Sequence, residues 1–263
     1  MRNIVCLILV FTLVSCGQNQ KKETKESTKE MAEVKISEPQ FFEIRTYYCH
    51  PGKLPELLKR FNDHTVKLFE KHGMVNMGYW VPIENTDNKL VYLMGYESRE
   101  HRDSAWDAFM KDPDWQKAWE ASKVNGPIVA SVVNKFYAYT GYSPKLKKED
   151  AGSRIFSLRT YYTNEGKLKN LHDRFENHTL EIFKNNGMTN IAYFNMDASH
   201  EESKNVLTYL IAFPDTTARK ASWDGFREDA DWKIAYANSI KDGKLVDSIT
   251  AELLLPTSFS PLK

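Results

Sequence analysis

The sequence predicts an α+β protein: two tandem ferredoxin-like βαββαβ units closed against each other as one intrachain α/β barrel. The first observation behind this is an internal repeat. Residues 41–82 align with 155–196 at a constant offset of 114, with 18 identities in 42 positions. Arg45-Thr46-Tyr47-Tyr48 returns as Arg159-Thr160-Tyr161-Tyr162, and Arg60-Phe61 with His64-Thr65 returns as Arg174-Phe175 with His178-Thr179. A three-residue insertion raises the offset to 117, where Trp106-Asp107 and Trp115 meet Trp223-Asp224 and Trp232. Solenoid repeats run to about 50 residues, so this longer period marks two copies of a domain. The second observation is the order of elements within each copy. The third is that one such sheet has helices on a single face and needs a partner for the other.

The elements follow from local pattern. Residues 41–48 are β-branched and aromatic enough for a strand. Residues 53–72 form a helix, with Leu54, Leu57, Leu58, Phe61, Thr65, Leu68 and Phe69 at helical spacing, and Gly73 ends it by taking positive φ. Residues 75–81 and 90–97 are two further strands. A second helix starts at Ser98 or Glu100. It restarts at Asp112-Pro113, with Asp as N-cap and Pro in the first turn. Residues 128–139 make the fourth strand. The copies are therefore 41–139 and 154–256, joined by a linker at 140–153 and followed by a tail at 257–263.

Composition supports a packed core: 41% apolar, 13% aromatic and 27% charged residues. The formal charge is +1, from 36 basic and 35 acidic residues. No strongly basic surface follows, which excludes nucleic acid as a partner. Walker, dinucleotide and serine-hydrolase motifs are missing, as are HExxH and CxxC, so the expected metal and cofactor content is none.

Alternation sorts the first strand. Phe42, Ile44, Thr46 and Tyr48, the more apolar side, are expected under the helices. Glu43, Arg45 and Tyr47, with Ser157, Arg159 and Tyr161, are expected to face the barrel interior. An inward arginine and tyrosine, present twice, suit a small organic anion. The alternative is an arginine held by protein, with Glu43 as a ready partner. His64 and His178 lie along the expected buried stripe, either as ligand-binding groups or as satisfied core histidines. Trp80 and its counterpart Phe194 supply an aromatic wall. The expected ligand-binding set is Arg45, Tyr47, His64, Trp80, Arg159, Tyr161 and His178. Catalytic residues are not assigned, and the sequence leaves homo-oligomerisation open. Trp106, Trp115, Trp223 and Trp232 are expected as core anchors.

The first residues are expected to be an address. One cation, Arg2, precedes an apolar run at 4–14, too short for a bilayer span of about 20 residues. Leu13-Val14-Ser15-Cys16 resembles the lipobox of bacterial lipoproteins. That resemblance implies cleavage before Cys16, acylation of Cys16 and anchoring in a bacterial cell envelope. Gly17, rather than Asp, further implies the periplasmic face of the outer membrane. Residues 17–40 read as a polar tether spanning about 27 Å as a flexible coil. Cys49 is then the remaining thiol, so no internal disulfide forms.

Phe42-Glu43-Ile44-Arg45-Thr46-Tyr47, then Pro51-Gly52-Lys53-Leu54, then Lys71-His72-Gly73, resembles the opening of NIPSNAP domains. Trp106-Asp107-Ala108-Phe109 and Asp112-Pro113-Asp114-Trp115 resemble the family's second helix. The second copy keeps Leu158-Arg159-Thr160-Tyr161 and Gly166-Lys167 but has Glu165 and Ala230 in place of Pro51 and Pro113. The resemblance implies the dimeric α/β-barrel fold, a group that includes haem-degrading and cofactor-free monooxygenases. It carries no family catalytic residues. Three functions stand open: a lipid-anchored module binding a small organic anion, a small-molecule enzyme of the monooxygenase kind, and a structural module without ligand.

Overall fold

A computed structural model of the chain describes residues 38–148, 150–152 and 154–263. The expected signal at 1–16, the acylated Cys16 and most of the expected tether lie outside the described residues. In the first copy, β1 (Phe41–Cys49) leads into α1 (Leu54–Arg60), a π-helical turn (Phe61–Thr65) and α2 (Val66–Lys71). Then come β2 (Val75–Pro82), β3 (Lys89–Tyr96), α3 (Arg99–Lys111), α4 (Pro113–Ser122) and β4 (Val129–Tyr139). The second copy repeats the order: β5 (Ile155–Thr163), α5 (Leu168–Arg174), a π-helical turn (Phe175–Thr179), α6 (Leu180–Asn185) and β6 (Thr189–Met196). It continues with β7 (Val206–Phe213), α7 (Thr216–Glu228), α8 (Ala230–Ser239) and β8 (Val246–Pro256).

All eight strands are antiparallel to their neighbours and close as β1-β3-β2-β8-β5-β7-β6-β4. Two short seams join the copies, one pairing Trp80 with Pro256 and the other Tyr137 with Met196. The predicted α+β barrel made from two βαββαβ units is therefore present. Helix punctuation also matches its expected chemistry. Ser98 and Asp112 cap α3 and α4 through the amides of His101 and Asp114, at 3.2 and 2.8 Å, and Asp215 and Asp229 do the same for α7 and α8. Gly73 takes φ +75° after α2, letting the Met74 amide reach the Phe69 carbonyl at 3.0 Å.

The face assignment is the reverse of the sequence expectation. Phe42, Ile44, Phe156 and Leu158 point into the barrel, where they pack with Trp80, Val91, Leu93, Phe194, Leu210 and Leu254. Arg45, Tyr47, Arg159 and Tyr161 point the other way, under the helices. Tyr47 packs on Phe61, and the Arg45 guanidinium lies 4.1 Å from the Trp106 ring centroid. The physical reason is that both faces of this sheet are covered. The barrel interior is the contact between two sheets and takes the more apolar side. The helix layer carries tryptophan and tyrosine, whose ring faces and polar tips accommodate an arginine.

Rings are traded across the interior. Gly78 lies against the Trp80 ring, and a Cβ there would come within 2.1 Å of it. The second copy has Ala192 and Phe194 at these two positions, so the smaller ring accompanies the larger backbone neighbour.

The ends of the two copies cross over. Past β4, the Thr140 amide bonds the Tyr193 carbonyl and the Tyr193 amide bonds Ser143 Oγ, at 3.0 and 2.9 Å. Past β8, Thr257 and Ser260 make the same pair with Tyr79, both at 2.9 Å. Tyr142 packs on Tyr193, and Phe259 on Tyr79 and Phe61. Residues expected as the start of a linker and as a tail are thus two equivalent straps, each laid over the other copy.

Candidate functional site

The barrel interior offers little space. The void bounded by Ile44, Trp80, Val91, Leu93, Leu158, Phe194, Leu210 and Leu254 measures about 10 Å³. That is about the room one water needs, so an organic anion does not fit there. Trp80 is buried in this wall, as a packing residue.

His64 and His178 are exposed, which corrects their expected place on the buried stripe. The cause is the π-helical turn after Arg60. The Val66 amide reaches back five residues to the Phe61 carbonyl, and Thr65 Oγ1 donates to the Arg60 carbonyl at 3.2 Å. The wider turn brings Thr65 rather than His64 beneath Phe61, and Thr179 is placed likewise. His64 borders a surface cleft of about 270 Å³ with Arg60 and Ser122, and His178 one of about 240 Å³ with Arg174 and Ser239. Arg60 and Arg174, noted in the sequence only as a repeated pair, are buried there. Each donates from Nη1 to the serine, at 3.0 and 3.1 Å, and lies about 5 Å from a tryptophan ring centroid.

The most elaborate polar arrangement lies between β1 and α3. Glu43 is completely buried. Its Oε1 accepts from Arg45 Nη1 at 2.6 Å, Arg102 Nη2 at 2.8 Å and Asn134 Nδ2 at 3.2 Å. Its Oε2 accepts from Arg102 Nε at 2.9 Å, Trp106 Nε1 at 3.1 Å and the Tyr96 hydroxyl at 3.3 Å. Burial alone would raise the Glu43 pKa, but the hydrogen bond from Arg102 and the charges of Arg45 and Arg102 outweigh it, so the carboxyl stays below its ordinary value. This is the protein-held arginine that the sequence reading left as an alternative. Its second clamp, Arg102, was not foreseen.

The second copy keeps the clamp and lacks the acid. Arg159, Arg219 and Trp223 stand where Arg45, Arg102 and Trp106 stand, while Ser157, Phe213 and Ala251 replace Glu43, Tyr96 and Asn134. Ser157 is completely buried, and Ser157 Oγ, Arg219 Nε and Trp223 Nε1 are buried without a hydrogen-bond partner among the described residues. Arg159 Nε turns to the Tyr209 hydroxyl at 3.0 Å, and its guanidinium lies 4.7 Å from the Trp223 centroid. Burial and the neighbouring Arg159 charge lower the Arg219 pKa. Both arginines are half-buried. Ala251, opposite Arg159 in the β5–β8 ladder, is exposed, so the site opens to solvent on that side.

Cys49 is buried at the end of β1, and burial pushes its thiol up to about 11. Its labelling by a disulfide reagent at neutral pH should therefore be at least about tenfold slower in the native protein than in denaturant. Equal rates would show that the thiol is open to solvent. Among the described residues, no three His, Cys, Asp or Glu side chains are grouped to hold a metal ion.

Sequence comparison finds the NIPSNAP domain over residues 42–144 and again over 156–261. The human protein NipSnap homolog 3A is 26% identical over 225 residues, covering 85% of this chain and 86% of that one. The mouse protein NipSnap homolog 3B is 25% identical over the same shares of each chain. Among solved structures, a monooxygenase candidate from Lactobacillus acidophilus NCFM matches with a TM-score of 0.55 at 10% identity, covering 85% of this chain and 98% of that one. A second, from Fusobacterium nucleatum, matches with a TM-score of 0.52 at 11% identity, covering 87% and 100%. At such identities the likeness concerns the fold: two sheets closed into an α/β barrel under two helix layers.

Proposed function

The chain belongs to the NIPSNAP family, and from that premise we propose that it is a binding module for a small organic anion, held at the surface of a bacterial cell envelope membrane by an acylated Cys16. The anion is bound beneath α7 of the second copy, between Arg159 and Arg219, and not within the barrel. One observation carries this reading: the two copies share an arginine pair, and only the first has an acid between its arginines. Two half-buried cations with no carboxylate between them are costly, and a bound anion offsets that cost.

A panel of carboxylates and phosphates should raise the melting temperature of the wild type. Arg219→Met should lose the shift, because it keeps the length of the side chain and removes the fork. Flat melting curves across the panel would reject the reading.

The anchor is supported by the sequence alone, through the short apolar run at 4–14 and the lipobox-like Leu13-Val14-Ser15-Cys16. Two or three acyl chains suffice for stable attachment, at about 0.8 kcal/mol per buried methylene. In a bacterial host, Cys16→Ala should move the protein from the membrane fraction to the soluble fraction and abolish palmitate labelling. Unchanged partitioning would exclude the anchor.

A further inference from the structure

We propose that the two copies are one carboxylate seat in two states: the first is permanently occupied by its own Glu43, and the second receives the carboxylate of a small monocarboxylic acid in the same position. This rests on the anion-binding reading above and specifies its ligand.

The first copy shows what the seat recognises. The donors divide evenly, three on each Glu43 oxygen, and Arg102 spans both oxygens with Nη2 and Nε at 2.8 and 2.9 Å. Such fork-on-fork geometry suits a planar group with two oxygens. It also matches charge: a carboxylate restores the balance of one acid to two arginines found in the first copy.

The second copy retains Arg219, Arg159 and Trp223 of that donor set. Its Arg219 Nε and Trp223 Nε1 correspond to two of the three donors that converge on Glu43 Oε2 in the first copy, and both are buried without partners among the described residues. Ser157 removes the resident acid by truncating it to a hydroxymethyl group. Ala251 removes the side chain that Asn134 places over Oε1, and its exposed position lets the body of the ligand leave towards solvent. Two of the three changes that distinguish the copies at this place thus act together: one removes the built-in carboxylate and the other uncovers its position.

The test exchanges the two states. Sodium propionate, which reproduces the end of a glutamate side chain, is titrated at millimolar concentration and followed by NMR and calorimetry against inorganic phosphate and sulfate. The wild type should bind one propionate per chain, in preference to phosphate. Ser157→Glu should abolish that binding and raise the melting temperature without any ligand, since it restores a resident carboxylate between Arg159 and Arg219. The double variant Glu43→Ser/Asn134→Ala should bind two propionates per chain, and its lowered melting temperature should recover with propionate. Arg219→Met should weaken propionate by about tenfold to a hundredfold, the range for a hydrogen bond to a charged group.

Phosphate or sulfate binding without propionate would overturn the carboxylate seat while leaving the anion reading intact. Propionate binding that survives Ser157→Glu would overturn its location. If no anion binds and Ser157→Glu lowers the melting temperature, both readings fail.

Discussion

Glu43→Ala should lower the free energy of unfolding by about 3–5 kcal/mol, the range for removing one partner of a buried ion pair. The variant leaves Arg45 and Arg102 facing each other beside Trp106 and takes the acceptor from the Asn134 amide, while Trp106 Nε1 keeps its bond to the Tyr96 hydroxyl at 2.9 Å. Urea titration of both proteins at neutral pH gives the difference directly. The effect also has a pH signature. The folded-state pKa of Glu43 lies below the unfolded value of about 4.3, so its contribution is complete above that pH and fades as pH falls through the folded value. Wild type and variant should therefore converge in acid. A variant as stable as the wild type at neutral pH would mean that the clamp is not what holds α3 against β1.

Removing residues 257–263 should abolish cooperative unfolding at physiological temperature. The strap contributes Leu262, which is only 2% exposed inside the barrel, and burial of a leucine side chain is worth about 2–5 kcal/mol in truncation series. It also contributes Phe259 and two hydrogen bonds to the Tyr79 backbone, and the total approaches the 5–15 kcal/mol that holds a typical domain together. Near-UV circular dichroism on heating is the measurement, with Phe259→Leu as a milder variant that should only lower the midpoint. An unchanged midpoint in the truncated chain would show the strap to be peripheral.

The repeat, the order of elements, the caps at Asp112 and Asp229 and the closed barrel were all legible in the sequence. Each rests on spacing, which the chain displays directly. The direction of the first strand's faces was not, because alternation says which residues share a side and leaves open which side lies inside. The decisive difference is in the partners. Phe42 meets Phe194 across the interior, while Arg45 meets Trp106. The π-helical turn escaped for a related reason, since Phe61 and Thr65 fit a regular helical stripe as well as they fit the wider turn. Two signals were present and unread. Tyr142-Ser143-Pro144 returns as Phe259-Ser260-Pro261 at the 117 offset, marking the straps, and Arg102 returns as Arg219, marking the second clamp. What identifies the candidate site is a difference between the copies, Glu43 against Ser157, and its meaning depends on contacts from α3 and α7 that lie far along the chain.

The straps imply something about how such a pair of sites can arise. Were the same halves separate identical chains, each laying its end over the other, any substitution would appear on both sides of the symmetry axis. An acid lost from one clamp would be lost from both, and the stabilising carboxylate could not be kept in one half while its counterpart was given up. Covalent fusion removes that constraint. One half can remain the rigid, self-neutralised scaffold while the other, braced by it, carries the destabilising change that recognition of a ligand requires.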